Sequence, residues 1–298
     1  MKKTATAQKF ITISSLSILL SMLTVILGAP LLRVLRKAYG PLAFWILGLL
    51  VTGAAWLLNA QPLALFLGSI WMTLGAYMEL EQRGLGWWIS GLLSVSAGSL
   101  ATGLGLFGAL KKNGINTYAE IQGLAEKFAQ QVQTMNPAVK LDPAILVQQV
   151  PSAVVIILIV ALGVGLIFER RVFSWLNLPR EKIASQLKLL EYRVPDYVIW
   201  VAMIAFLLTM VSFGGKATAI LAVNIVNVCI VLYFFQGLAV LEVFLNSMRA
   251  GVFTRVLTYI ILVGQMLLIL SVVGLIDYWV DFRGRIRRMN RPAENNNL

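Results

Sequence analysis

The stretch Leu85–Leu110, LGWWISGLLSVSAGSLATGLGLFGAL, carries no charged side chain over 26 residues. An α-helix needs about 20 apolar residues to cross the hydrocarbon core of a bilayer. Backbone groups in that core have no water to bond, so a lone segment that crosses it has to be helical. This stretch therefore predicts a transmembrane helix, and much of the chain repeats its character.

Seven further apolar runs give the chain the composition of an integral membrane protein. Hydrophobic residues make up 59% of its 298 residues, and the mean hydropathy is +0.82. We predict an all-α, polytopic transmembrane helical bundle that forms a single integral membrane domain over 1–298. Its eight predicted spans are 10–32, 41–58, 62–78, 85–110, 151–168, 196–213, 217–247 and 255–278.

The composition excludes several kinds of site. The chain has no histidine and one cysteine, Cys229. A Ser-His-Asp triad, the usual zinc or haem site, an intrachain disulfide and a cysteine-rich metal site are therefore ruled out. An intramembrane enzyme would have to use Glu242 and Asp277, which lie on different spans. We expect no enzymatic activity, no cofactor and no metal.

The net charge of +12 comes from 25 Lys and Arg against 13 Asp and Glu. These cations are scattered over helix ends and loops, so we expect no nucleic-acid partner. Their expected partners are anionic lipid headgroups, and other membrane subunits are a further candidate partner.

The orientation of the chain is nearly undetermined by charge. With both termini cytoplasmic, 13 Lys and Arg lie inside and 12 lie outside, which is a near-tie under the positive-inside rule. We predict a multi-pass protein with both termini cytoplasmic. Both ends are basic, and the densest cluster of arginines is in the polar tail 283–298.

The connection 111–150 is predicted to be an extramembrane, amphipathic helical segment. Thr117 and Glu120 have the spacing of a capping box, and Asn136-Pro137 ends the helix that follows. Asp142-Pro143 is expected to start a short helix leading into the fifth span. Two interpretations of the helix after Thr117 remain open. In the first it lies on the bundle or on the membrane surface, and in the second it covers a cavity or forms a docking face for a partner. Its apolar face consists of Tyr118, Ile121, Ala125, Phe128, Val132 and Met135.

The seventh predicted span is the most polar one. At 100° per residue, four of its polar side chains share one stripe and Gln236 lies off it. Polar groups in hydrocarbon face a bundle interior, a partner or a wet cavity, so the stripe is either a hydrogen-bonded seam or a solute-lining wall. The candidate residues are Asn224, Asn227, Gln236, Glu242 and Asn246.

Two other groups of residues stand out. Small side chains at four-residue intervals let helices pack closely in lipid, and Ser90, Ser94, Gly98 and Thr102 follow that spacing. At the end of the last span, Asp277, Asp281 and Arg283 form a candidate helix-end motif. At four-residue spacing, Asp277 with Asp281 and Asp281 with Arg285 can pair on one helix face, whereas the alternative is that the aromatic residues and arginines here are ordinary interfacial anchors.

Three segments carry a family resemblance. LEYRVPDYVIW at Leu190–Trp200 enters a span through Pro-Asp, YFFQGLAV occupies Tyr233–Val240, and GLIDYWVDFR occupies Gly274–Arg283. In this order they resemble the bacterial YybS-like family of predicted membrane proteins, also called DUF2232. The resemblance implies that the protein lies in a bacterial cytoplasmic (inner) membrane. The resemblance is specific over 175–285, whereas the first 110 residues agree only in their hydropathy plan.

That family is similar at a distance to the substrate-binding S components of energy-coupling-factor transporters. The resemblance implies a helical bundle that binds one solute and docks on a transmembrane coupling protein and two ATPases. S components present an Ala-xxx-Ala-like face of the first span to that partner, and this chain has Ser17 and Ser21 there. The chain departs from the six-span S components in its eight predicted spans and the long connection 111–150.

Two functions remain open on these observations. The first is an S-component-like solute-binding or transport subunit, with a cavity beside Asn224 and Asn227. The second is a non-transport scaffold or assembly factor for an envelope complex, which would use the amphipathic helix of 111–150 as a docking face.

Overall fold

The computed structural model describes residues 7–24, 26–138, 140–178, 189–211 and 215–289. Over these residues the secondary structure is helical, without a strand, which confirms the all-α prediction. The chain divides into two compact units, Met1–Gln186 and Leu187–Leu298, which are called unit 1 and unit 2.

Unit 1 contains seven α-helices among its described residues. Its first predicted span is broken, because the helix that starts at Ala7 ends at Leu23 and a separate short helix begins at Ala29. The helices are α1 (Ala7–Leu23), α2 (Ala29–Tyr39), α3 (Pro41–Leu57), α4 (Gln61–Gln82), α5 (Trp87–Lys112), α6 (Tyr118–Met135) and α7 (Pro143–Trp175).

Helix α6 begins and ends where the sequence predicts. Thr117 accepts a hydrogen bond from the Glu120 backbone N–H and Glu120 reaches back to Thr117, which confirms the capping box. The helix ends at Met135, before Asn136-Pro137. The prediction of a separate short helix after Asp142 is wrong, because α7 continues through Pro151 as one helix of 33 residues. Neighbouring groups satisfy the carbonyl that a proline leaves unbonded in such helices.

Unit 2 contains five α-helices and a short 3-10 turn at Leu189–Glu191 among its described residues. Two consecutive helices of 14 residues each are bent by 101° at a break near Met266, so the predicted span 255–278 is not one straight helix. The helices are α8 (Tyr197–Met210), α9 (Gly215–Ser247), α10 (Val252–Gln265), α11 (Leu267–Val280) and α12 (Phe282–Met289).

The prediction of about eight spans is wrong, because fewer helices than that are long enough to cross a membrane. Among the described residues, four helices are long and apolar enough to cross a membrane: α4, α5, α7 and α9. The bent pair α10 and α11 makes a fifth if it counts as one span. Helices α1, α3 and α8 are apolar but have 17, 17 and 14 residues. The runs predicted as spans there include turns and loop residues, and parts of 10–32 and 196–213 lie outside the described residues.

Candidate functional site

Helix α2 reaches the interior of unit 1 through a tight turn at Gly28. A Cβ added there would lie 1.8 Å from the Ser21 hydroxyl oxygen, so only glycine permits this approach. Pro30 occupies the first turn of α2, and Gly40, at φ +89°, ends the helix. The whole stretch 29–36 is buried, including both of its arginines.

The buried arginines of α2 lie in a set of six charged side chains and one tyrosine from three helices. We call this set the α2 ion cluster. It consists of Arg33, Arg36 and Lys37 on α2, Tyr77, Glu79 and Glu81 on α4, and Glu169 on α7.

Arg33 lies at the centre of the α2 ion cluster and has no exposed surface. Its Nη2 lies 2.7 Å from Glu169 Oε2 and 3.2 Å from Glu81 Oε2. Its guanidinium carbon also lies 5.2 Å from the centre of the Tyr77 ring. Charged side chains are almost never fully buried unless paired, and here one guanidinium pairs with two carboxylates.

The other two cations extend the cluster. Arg36 donates to the Gly75 carbonyl at 3.0 Å and to Glu79 Oε1 at 2.5 Å. Lys37 donates to Glu169 Oε1 and has Glu81 Oε2 at 3.9 Å. Three cations therefore meet three carboxylates, so the formal charges of the cluster sum to zero.

Four polar atoms of the α2 ion cluster are buried without a hydrogen-bond partner among the described residues. They are Arg33 Nη1, Arg36 Nε, the Tyr77 hydroxyl and Glu81 Oε1. Buried polar groups are normally bonded, and an exception calls for an explanation such as a water, an ion or a functional role. Tyr77 and Glu81 are one helical turn apart and both contact Arg33, so three of these atoms belong to side chains that touch.

Unit 2 has a second buried polar group, the Asp277 clasp, which consists of Gln236, Asp277 and Arg283. Asp277 Oδ2 accepts from Arg283 at 3.0 Å and from Gln236 Nε2 at 3.3 Å. Arg283 also donates to the Tyr192 carbonyl at 2.7 Å, and Gln236 Oε1 accepts from the Val194 N–H at 2.9 Å. The clasp therefore joins all three segments on which the family resemblance rests.

Two glycines allow the clasp to form. A Cβ at Gly237 would lie 1.9 Å from the Leu270 carbonyl oxygen, and one at Gly274 would lie 2.0 Å from that of Tyr233. Helices α9 and α11 thus touch backbone to backbone, the approach that small residues permit in lipid.

The five polar candidates of the seventh predicted span lie in different surroundings. Gln236 belongs to the Asp277 clasp, and Asn224 donates to the Ile220 carbonyl of its own helix at 2.8 Å. Asn227 is half-buried. Glu242 accepts from Tyr259 and from Arg255 at 3.2 Å. Asn246 accepts from Arg255 at 2.7 Å, so these last two candidates join α9 to α10.

The helix-end motif is divided by a break between α11 and α12. Asp281 adopts φ +48° and accepts from the Gly284 N–H, whereas Asp277 pairs with Arg283. The expected four-residue pairing of Asp277, Asp281 and Arg285 is wrong, because the helix does not continue through Asp281. The last residues of the tail, 290–298, lie outside the described residues.

The small-residue stripe of α5 faces α4. Ser90 and Ser94 have no exposed surface, and a Cβ at Gly98 would lie 1.9 Å from Thr73 Oγ1. Thr102 donates to Ser69 Oγ at 2.6 Å.

Sequence reasoning missed the α2 ion cluster for an identifiable reason. Arg33, Glu79 and Glu169 each follow directly after a predicted span, at 32, 78 and 168. Charges at those places are ordinary flanks of membrane helices. The available signal was the spacing of Arg33, Arg36 and Lys37, which places three cations on one helical face.

Several membrane-length helices, with ion pairs buried among them, define this chain as a polytopic α-helical membrane protein. The chain belongs to the DUF2232 family of predicted membrane proteins, whose model matches residues 5–278. The family match thus includes residues 5–110, where the sequence resemblance is diffuse. No curated protein and no solved structure matches the chain.

Proposed function

We propose that this protein binds a small zwitterionic solute at the α2 ion cluster and serves its transport across the membrane. The observation that carries the proposal is the set of unpartnered polar atoms around Arg33. Arg33 Nη1 is a donor and Glu81 Oε1 is an acceptor, while the Tyr77 hydroxyl can be either. A solute with both a carboxylate and an ammonium group complements this set, and the balanced charge of the cluster favours a ligand with no net charge.

The location of the cluster also supports a transport role. Ionisable side chains buried among membrane helices are rare, and they commonly mark solute or ion pathways. Glu79 and Glu81 lie in the last turn of α4 and Glu169 lies in the last third of α7, and both helices are candidate spans. The cluster is thus near one end of these two candidate spans.

The resemblance to S components supports solute binding but not the docking mode of those proteins. Ser17 and Ser21 are buried within unit 1, the second of them against Gly28. We therefore leave a coupling protein seated on this serine pair out of the proposal. We further propose that the protein has no enzymatic activity and resides in the bacterial cytoplasmic membrane.

The test is solute-dependent stabilisation of the full-length protein in lipid nanodiscs. Thermal unfolding is measured with zwitterionic amino acids, monocarboxylates and monoamines at equal ionic strength. A solute at 100 times its Kd raises stability by about 2.7 kcal/mol. We expect zwitterions to raise the unfolding midpoint of the wild type and not that of Y77F, which loses the hydroxyl without breaking an ion pair.

The matched control is S99A. The Ser99 hydroxyl is also buried without a partner among the described residues, but it lies on α5 outside the cluster. S99A should keep the zwitterion response of the wild type. A wild type that responds to no member of the panel, or a Y77F variant that responds fully, would contradict the proposal. Uptake of the stabilising solute into proteoliposomes then tests transport itself.

A scaffold role is the second candidate, and the exposed face of α6 favours it. Helix α6 packs on α7, yet Tyr118, Phe128 and Met135 remain exposed. If α6 docks another membrane subunit, F128E should remove that subunit from the purified complex while the neighbouring K127E retains it. Equal copurification with F128E and K127E would contradict the scaffold role.

A further inference from the structure

A cleft of about 570 Å³ lies between α3, α4 and α5 in unit 1. Its volume is within the range of about 300–1,000 Å³ that is usual for ligand pockets. Its walls include Trp45, Gly53 and Trp56 on α3, Leu65 on α4 and Gly105 on α5. None of these residues belongs to the α2 ion cluster.

The polar groups around the cleft bond inward, to the protein. The Trp71 indole N–H donates to the Phe44 carbonyl at 2.9 Å, and the Thr52 hydroxyl donates to the Gly48 carbonyl at 2.7 Å. The Ser69 hydroxyl donates to the Leu65 carbonyl. With these hydrogen bonds made internally, the walls offer an incoming molecule mainly apolar surface, so the cleft suits a hydrocarbon.

The length and setting of the cleft match a lipid chain. Two of its three helices, α4 and α5, are candidate membrane spans. From Trp45 to Trp56 the wall of α3 extends roughly 16 Å, at 1.5 Å per residue. One leaflet of the hydrocarbon core is about as deep, since the whole core is about 30 Å thick.

One end of the cleft is cationic. The Lys112 ammonium lies 5.8 Å from the centre of the Trp56 ring, which lines the cleft. The same ammonium donates to Asn59 Oδ1 at 2.9 Å, and it has three donors in all. Lys111 and Lys112 are both exposed at the end of α5. A phosphate at this end would therefore meet a positive charge with donors still available.

We infer that this cleft is a binding site for an anionic phospholipid. One acyl chain lies along α3 between Trp45 and Trp56, and the phosphate lies beside Lys112. The chain supplies the apolar contact that the cleft walls require, and the headgroup supplies the charge that complements the lysine. The cleft adjoins the α2 ion cluster at Trp45, whose indole N–H donates to Glu79 at 3.5 Å, whereas the phosphate end beside Lys112 uses no residue of that cluster.

Native mass spectrometry of the full-length protein tests the inference with phosphatidylglycerol and phosphatidylethanolamine as probes. The key variant is G53L, because a Cβ at Gly53 meets no atom within 4 Å and the leucine would extend into the cleft. Its control is G103L, which also adds a leucine in open space but lies outside the cleft lining. We expect G53L to lose at least fivefold of the bound phosphatidylglycerol and G103L to retain it.

The headgroup is tested with K112Q, and K111Q is the control of equal charge. K112Q should lower the preference for phosphatidylglycerol over phosphatidylethanolamine about fivefold, which corresponds to roughly 1 kcal/mol for one lysine. K111Q should retain most of the wild-type preference for phosphatidylglycerol over phosphatidylethanolamine. Wild-type protein that binds both lipids equally would overturn the anionic headgroup. Unchanged binding by a folded G53L would overturn the cleft as the chain site.

A G53L protein that fails to fold is recognised by its elution in size-exclusion chromatography. In that case, cryo-EM of the wild type in phosphatidylglycerol nanodiscs decides the question. Chain-shaped density from Trp45 to Trp56 supports the inference. Density in the cleft from a neighbouring protein segment, or from any molecule without a phosphate beside Lys112, overturns it.

Discussion

Arg33 shows how a single residue organises unit 1. Like Lys37 it contacts carboxylates from both α4 and α7, but it alone of the two is completely buried. Removing a charge from water is expensive, and a buried pair is not by itself strong evidence for stability. The retention of six charged side chains in one place therefore supports a function for the α2 ion cluster.

Glu169 provides a test of this pairing at the level of one residue. E169Q leaves Arg33 and Lys37 without their closest carboxylate, so we expect a loss of about 3–5 kcal/mol in the free energy of unfolding. R170Q changes the exposed neighbouring residue and should cost less than about 0.5 kcal/mol. Unfolding in mixed detergent micelles measures both values. Equal effects of E169Q and R170Q would show that the pair is solvated.

Asp277 gives the corresponding test in unit 2. D277N leaves the buried Arg283 without its carboxylate, and a loss of about 3–5 kcal/mol is again expected. The exposed Asp281 is the matched control, since D281N retains an acceptor for the Gly284 N–H. The same unfolding measurement applies, and a D277N variant as stable as D281N would contradict the clasp.

Helices α9 and α11 approach each other backbone to backbone. Their contact depends on Gly237 and Gly274, because a side chain at either position would meet backbone atoms of the other helix. Backbone atoms cannot move aside as a flexible side chain does. The distance between the two helices is therefore set by the absence of two side chains.

Alanine at these positions tests the close approach. We expect G237A and G274A each to lower the free energy of unfolding by about 1–3 kcal/mol, the usual range for overpacking. G264A on α10 is the control, because a Cβ there has no atom within 4 Å. The unfolding midpoint is measured for each of the three variants and compared with that of the wild type. A G237A variant as stable as G264A would mean that the helices separate at little cost.

Helix α6 permits a prediction about pH. The backbone N–H groups of Asn116 and Thr117 donate to Glu120 and hold the pKa of its carboxyl below the ordinary value. The charged form is thus favoured in the folded state. The stability it contributes is present above pH 4.5, the ordinary pKa, and is lost as the pH falls through the lower pKa of the folded state.

Hydrogen exchange of the α6 amides checks this dependence. After correction for the intrinsic rate, hydrogen exchange in the first turn of α6 should accelerate as the pH falls below 4.5 and through the lower pKa of Glu120 in the folded state. E120Q should remove the change, and E126Q on the exposed face of the same helix should keep it. If E120Q and E126Q behave alike, the capping box does not control the start of α6.

At the scale of the whole molecule, the number of crossings decides where the termini lie. Four crossings put both termini on one side, whereas a fifth, made by α10 and α11, puts them on opposite sides. The 13-to-12 count of Lys and Arg belongs to the eight-span arrangement, so it does not choose between these two.

Cysteine accessibility can decide the topology. Cys229 is the sole cysteine and is buried, so C229S supplies a background without thiols. In that background we expect T4C and N295C to react with a membrane-impermeant maleimide in inverted vesicles and not in intact spheroplasts. This result agrees with cytoplasmic termini. Labelling of only one of the two in spheroplasts would instead support five crossings.

The sequence by itself determined the all-α class, the membrane environment and the limits of α6. These features depend on composition and on residues within one or two helical turns, which the chain displays directly. Its estimate of eight spans was too high, because an apolar run can contain a turn, as between α1 and α2.

Only the tertiary structure decided which polar residues meet. Arg33 lies 48 residues from Glu81 and 136 residues from Glu169, and no local pattern links them. Their meeting depends on the turn at Gly28 that directs α2 into unit 1. Likewise, Gln236 and Asp277 come from two motifs that the sequence shows separately, and they meet because α9 and α11 touch at two glycines. The physical reason is that side-chain contacts between helices depend on the three-dimensional path of the chain, which local spacing does not encode.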